Sequence, residues 1–137
     1  MKPLAGLHHI QINSGNFKRA RNFYVKLFRK WNFERVYVDA DVIGYSDGVM
    51  SLWITRADPK FDKGSYHRKA PGLNHIAFRA RSRKHVVDFY KKFLVRYKIK
   101  VLYGGPNEYP EYGKGYYSVF FEDPDRIKIE FAYVPHG

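Results

Sequence analysis

The chain has 137 residues, 45% hydrophobic and 18% aromatic, which is enough for a packed interior and too apolar for a disordered chain. It has no cysteine, which excludes disulfide frameworks, thiolate metal sites and cysteine nucleophiles and fits a reducing compartment. Its net charge of +12 could serve nucleic acid, an anionic substrate or simply a basic surface; the basic residues are spread along two predicted helices and no nucleic-acid motif is present, so they read as solvated helix faces.

There is no run of about 18 apolar residues and no charged-then-apolar leader, so neither a membrane span nor a signal peptide is expected. A cytoplasmic location is.

The first predicted strand, Leu7 to Asn13, alternates: Ile10 and Ile12 face one way, His9, Gln11 and Asn13 the other. Asn16 then caps a helix whose apolar positions are Phe17, Ala20, Phe23, Tyr24, Leu27 and Phe28, ending near Trp31-Asn32. Three short strands follow at about 33–38, 42–46 and 49–55, with Asp39-Ala40-Asp41 and Asp47-Gly48 as turns. Residues 6–57 thus form a β-α-β-β-β module. The polar stretch 58–71, broken by Pro59, Gly64 and Pro71, is a connector.

A second module, 72–134, repeats the first. Shifting the chain by 66 superimposes Gly6-Leu7-His8-His9-Ile10 on Gly72-Leu73-Asn74-His75-Ile76, and Phe23-Tyr24 on Phe89-Tyr90. Its strand at 73–80 leads into a helix capped by Ser82, with Val86, Tyr90, Phe93, Leu94 and Tyr97 as the apolar stripe. Strands at about 99–103, 116–122 and 127–133 complete it, the last two joined by Asp123-Pro124-Asp125-Arg126. Because Asp125-Arg126 lies farther from Asp47-Gly48 than the repeat requires, the second module carries extra residues. They are assigned to the glycine- and tyrosine-rich loop 104–115, either a lid over a pocket or a plain hairpin connection.

The last strand turns Ile127, Ile129 and Phe131 one way and Lys128 and Glu130 the other. If the polar faces of the two modules look into a common concavity, His9, His75 and Glu130 converge. Two imidazoles and a carboxylate would leave positions on a metal open for substrate. His8 alternates to the opposite face, and His67, His85 and His136 fall in a linker, a helix and a tail, so they are set aside. Arg79 and Lys128 either neutralise Glu130 as ion pairs or receive an anionic substrate. Gln11, Trp53, Tyr112 and Tyr117 are candidate pocket lining, Tyr117 alternatively core.

The paired modules, the Gly-Leu-x-His-Ile openings, the Phe-Tyr of each helix and Phe121-Glu122-Asp123-Pro124-Asp125 before Ile127-Lys128-Ile129-Glu130 resemble the vicinal oxygen chelate superfamily, which includes glyoxalase I, bleomycin-resistance proteins, fosfomycin-resistance enzymes and extradiol dioxygenases. The resemblance covers nearly the whole chain. It implies a single α+β domain over 1–137, with two tandem β-α-β-β-β modules making a cupped eight-stranded mixed sheet and helices outside. It implies a divalent metal (Fe, Mn, Zn, Ni or Co) on His9, His75 and Glu130, a small oxygen-rich substrate, and lyase, transferase or dioxygenase chemistry in which Glu130 is also a candidate catalytic group. A homodimer is implied too. The repeat matches Glu130 to Leu52, with Ser51 and Trp53 one register step away, so no fourth protein ligand is evident. The competing expectation is a metal-free protein that sequesters a drug-like molecule, as bleomycin-resistance proteins do.

Overall fold

The computed structural model describes every residue except Ser65, His136 and Gly137. His136 and one residue of the 58–71 connector therefore lie outside the described residues. The chain divides into two compact units, Met1–Ser65 and Tyr66–Gly137, each carrying one four-stranded mixed sheet in an α+β arrangement.

The first unit runs β1 (His9–Ser14), α1 (Phe17–Lys30), β2 (Glu34–Val38), β3 (Val42–Ser46) and β4 (Ser51–Arg56). The helix returns the chain so that β1 lies parallel to β4, while β4, β3 and β2 follow as antiparallel hairpins, giving the order β1-β4-β3-β2. Asn16 caps α1 by accepting from the Arg19 amide, and Arg29 and Lys30 sit in the last turn, where cations suit the negative end of the helix. The buried face of α1 is Phe17, Ala20, Phe23, Tyr24, Leu27 and Phe28, the stripe read from the sequence. Phe28 is wholly buried, its ring 5.6 Å from Tyr24, 5.4 Å from Phe33 and 4.9 Å from Tyr45.

The second unit runs β5 (His75–Ala80), α2 (Arg83–Phe89), a π-helical turn over Tyr90–Val95, β6 (Val101–Glu108), a 3-10 turn over Pro110–Tyr112, β7 (Tyr117–Glu122) and β8 (Lys128–Tyr133). Its sheet order, β5-β8-β7-β6 with β5 parallel to β8, repeats that of the first. The buried residues of its helical segment are Val86, Phe89, Phe93 and Leu94, where the sequence reading had Tyr90 and Tyr97 in the stripe. Phe89 follows Val86 at ordinary helical spacing and takes the inward place before the π turn begins, and Tyr97, beyond the end of that turn, is exposed.

The loop expected at 104–115 is also different. Its first five residues belong to β6, which bulges between Leu102 and Asn107 as Tyr103, Gly104 and Gly105 adopt positive φ. Only residues 109–116 form the hairpin end.

Phe28→Ala should destabilise the protein by about 3–5 kcal/mol, the usual range for emptying a buried phenylalanine site. Urea unfolding followed by far-UV circular dichroism measures this; a change below about 1 kcal/mol would show that the helix is not anchored through that ring.

Candidate functional site

In the second unit β8 alternates as expected, with Ile127, Ile129 and Phe131 buried on the helix side. Glu130 faces the other way yet is only 3% exposed. A carboxylate at that depth needs hydrogen-bond donors. It has them: the Tyr116 hydroxyl donates to Oε1, and Ser118 Oγ donates to the same oxygen at 2.9 Å. Oε2 is left to face His75 Nε2 at 3.1 Å.

The strand register makes that meeting possible. Ala77 is the residue of β5 paired with Glu130, and its methyl leaves room for His75, two residues earlier on the same face, to lean across. Asn74 Oδ1 lies 2.6 Å from His75 Nδ1, while the other end of the Asn74 amide donates to the Arg68 carbonyl. Both ring nitrogens of His75 therefore face oxygen acceptors. A neutral imidazole carries only one N–H, so a neutral ring cannot donate to both oxygens at once.

Aromatic rings surround this edge. Phe120, paired with Glu130 across β7 and β8, meets His75 at 6.0 Å, Tyr103 at 5.3 Å and Tyr109 at 5.5 Å between ring centres. Tyr109 stacks on Tyr112, and Tyr112 meets Tyr116 edge-on. Burial, then the hydrogen bond to Glu130 and its charge, push the Tyr116 hydroxyl far above the ordinary tyrosine range, so its proton stays in place at neutral pH. Burial pushes the Tyr109 hydroxyl above the ordinary tyrosine range, and the Asn107 amide beside it pulls the other way. Sequence reading placed Tyr112 here but missed Tyr103, Tyr109, Tyr116 and Ser118. The strand alternation already put Ser118 on the face of Glu130, whereas the tyrosines depend on the bulge and the hairpin end.

The sequence reads Tyr117 as pocket lining or, alternatively, core. It shares the helix-side face with Val119 and Phe121 and lies under the Arg83 guanidinium, 4.1 Å from the ring centre. Lys128 stands on the Glu130 face, donating to the Tyr103 hydroxyl at 3.2 Å with its ammonium 5.5 Å from the centre of Phe120. Arg79 donates to the Val134 carbonyl. The ring of His75 is the nitrogen group that meets Glu130 Oε2.

In the first unit His9, Gln11 and Trp53 share the face opposite α1. His9 Nδ1 lies 2.9 Å from His8 Nδ1, Gln11 donates to Thr55 Oγ1 at 2.6 Å, and Trp53 donates to Ser51 Oγ at 2.9 Å. The register identifies the counterpart of Glu130. Just as Glu130 pairs with Ala77, Trp53 pairs with Gln11, so Trp53 and not Leu52 occupies the equivalent place. The slip comes from the turns: Asp47 closes on Met50 three residues on, Asp123 on Ile127 four residues on. The indole lies flat on Gly44, where any Cβ would sit 2.8 Å from ring carbons. Among the described residues no group of three or more His, Cys, Asp or Glu side chains is gathered as a ligand set.

The glyoxalase/bleomycin resistance protein/dioxygenase superfamily model matches residues 6–131. The uncharacterised protein YqjT of Bacillus subtilis (strain 168) is 32% identical over 126 residues, 92% of this chain and 97% of that protein. A solved structure of a Bacillus halodurans protein assigned as a glyoxalase is 31% identical with a TM-score of 0.85, covering 96% of this chain and 97% of that one. The genomically encoded fosfomycin resistance protein FosX of Listeria monocytogenes, at 18% identity and a TM-score of 0.68 over 98% and 97% of the chains, shares the fold.

Tyr116→Phe and Ser118→Ala each remove a donor from a buried carboxylate and should each cost about 1–3 kcal/mol in thermal or urea unfolding. If both variants are as stable as wild type, the carboxylate is not held by these hydroxyls.

Proposed function

Given that the chain belongs to the glyoxalase/bleomycin resistance protein/dioxygenase superfamily, we propose that it is a divalent-metal-dependent enzyme acting on a small oxygen-rich substrate, with His75, Glu130 and His9 as the metal ligands. The observation that carries this reading is the His75–Glu130 edge, where a buried carboxylate oxygen and an imidazole nitrogen oriented by Asn74 face each other across 3.1 Å. The donor set fits a divalent ion. One carboxylate oxygen is tied by two hydroxyls, and the second points at an imidazole whose other nitrogen is already engaged. His9 joins the set through the internal repeat, and its Nε2 makes no hydrogen bond among the described residues.

When bound, the metal would supply Lewis-acid polarisation of a substrate held through adjacent oxygens. The chain's own residues would do the rest. Glu130 and His75 hold the ion; Tyr116, Ser118 and Asn74 hold those two side chains in place. Tyr103, Tyr109, Tyr112 and Phe120 would give a flat substrate an aromatic surface beside the two ligands. Lys128 is placed to meet negative charge. Tyr116 keeps its proton, so it acts as a hydrogen-bond donor and not as a base. Gln11 and Trp53 line the His9 face of the first unit, and Arg79 completes the candidate substrate set. A cytoplasmic homodimer belongs to the same reading.

Elemental analysis of protein purified without a nickel column tests it. Wild type should hold about one transition metal per chain, while His75→Ala and Glu130→Gln, checked for folding by circular dichroism, should lose it. Wild type that stays metal-free after incubation with Mn, Fe, Zn and Ni would overturn the reading. The aromatic surface around Phe120 would then serve a metal-free, drug-sequestering protein.

A further inference from the structure

We propose that the first unit carries a separate anion site, a groove between α1 and β2 that binds a small phosphorylated molecule with an apolar body. The groove has a volume of about 290 Å³ and is lined by Lys18, Arg21, Arg29 and Arg35 around Val25, Val38 and Tyr45. It lies on the helix side of the sheet, opposite the face of His9 and Gln11. Arg35 pairs with Tyr45 and Val38 with Ile43, and both Tyr45 and Ile43 are buried under the helix.

The helical period explains the gathering. Lys18, Arg21, Val25 and Arg29 fall on one stripe of α1 at steps of three and four, and Arg35 reaches the same depression from the neighbouring strand. Cations on a helix face are ordinarily just solvated. These differ in converging from two elements on one concavity whose lining includes no acid. Some exposed cations elsewhere have acidic partners, as Arg56 has in Asp41, Arg83 in Glu108 and Lys84 in Asp88. None of the four groove cations has an acidic partner among the described residues. Four like charges around a shared depression repel one another, and a bound anion would relieve that repulsion.

Three of the four are arginines, whose planar fork matches phosphate oxygens in pairs. Lys18 and Arg29 are eleven residues apart, about 16 Å along the helix, so the stripe can meet more than one anionic group. Val25 and Val38 offer apolar contact between the charges. The occupant is a small molecule and not a nucleic acid strand. The site is a short concavity, and its one aromatic residue, Tyr45, is 4% exposed and presents no face for a base to stack on.

Inorganic pyrophosphate is the probe. It should be titrated calorimetrically into wild type and Glu130→Gln at about 0.15 M salt, the second protein removing any route through the proposed metal ligands. The site predicts one pyrophosphate per chain with equal affinity in both proteins. Arg21→Gln combined with Arg35→Gln should weaken it about tenfold or more. Lys91→Gln combined with Lys92→Gln, which lowers the charge equally in the second unit, should leave it unchanged.

Four results would each overturn the proposal. The first is no pyrophosphate binding at this salt, and the second is equal weakening by both double variants, which would make it a general charge effect. Loss of binding in Glu130→Gln alone would assign the pyrophosphate to the other unit. Tighter, strongly salt-dependent binding of a duplex DNA through Arg21 and Arg35 would reassign the groove to nucleic acid.

Discussion

A carboxylate 3% exposed in the middle of a strand is the constraint around which the second unit is arranged. Left unpaired it would cost several kcal/mol, and the neighbouring sequence shows how that cost is avoided. Ser118 on β7 and Tyr116 just before it tie one oxygen, and His75 on β5 faces the other. Each contact depends on register. A one-residue slip of β8 would carry Glu130 into the apolar layer beneath α2 and bring Ile129 or Phe131 to the polar face. The parallel pairing of β5 with β8 and the antiparallel pairing of β7 with β8 therefore fix the fold and the candidate site together.

The first unit fills the same scaffold with different side chains. Trp53 takes the place of Glu130, Gln11 that of Ala77, and Gly44 that of Phe120. The exchange is coherent in volume. A carboxylate needs a small neighbour beside it and hydroxyls above it, whereas an indole lying across the sheet needs a strand position without a Cβ. One module is thus equipped with polar donors for holding charge, and the other with a flat apolar surface beside His9.

Much of the fold was legible because it rests on periodicity. The repeat of Gly-Leu-x-His-Ile placed both first strands, the buried stripe of α1 matches its six apolar positions, and the alternation of β8 separated Glu130 from Ile129 and Phe131. Three features were hidden, each for a physical reason. Phe89 and Tyr90 are adjacent and both fit the helical period from Val86, so the apolar pattern alone did not say which of them turns inward, and the helical segment closes at Val95, leaving Tyr97 exposed. The bulge in β6 runs through glycines that read as loop. The hairpin turns differ in length by one residue, so counting from Asp47-Gly48 led to Leu52 when the backbone pairs Trp53. Within the candidate site the strand residues were readable and the tyrosines were not, since Tyr103, Tyr109 and Tyr116 reach it through irregular backbone.

The central proposal is that His75, Glu130 and His9 are ligands of a divalent metal. X-ray absorption spectroscopy at the metal edge of protein loaded with one equivalent of Co²⁺ or Zn²⁺ tests it most directly, because imidazole rings give outer-shell scattering that carboxylates and water do not. The account predicts a nitrogen/oxygen shell with two imidazoles in wild type and one in His9→Ala. A spectrum showing no imidazole scattering, or one unchanged in His75→Ala, would contradict it.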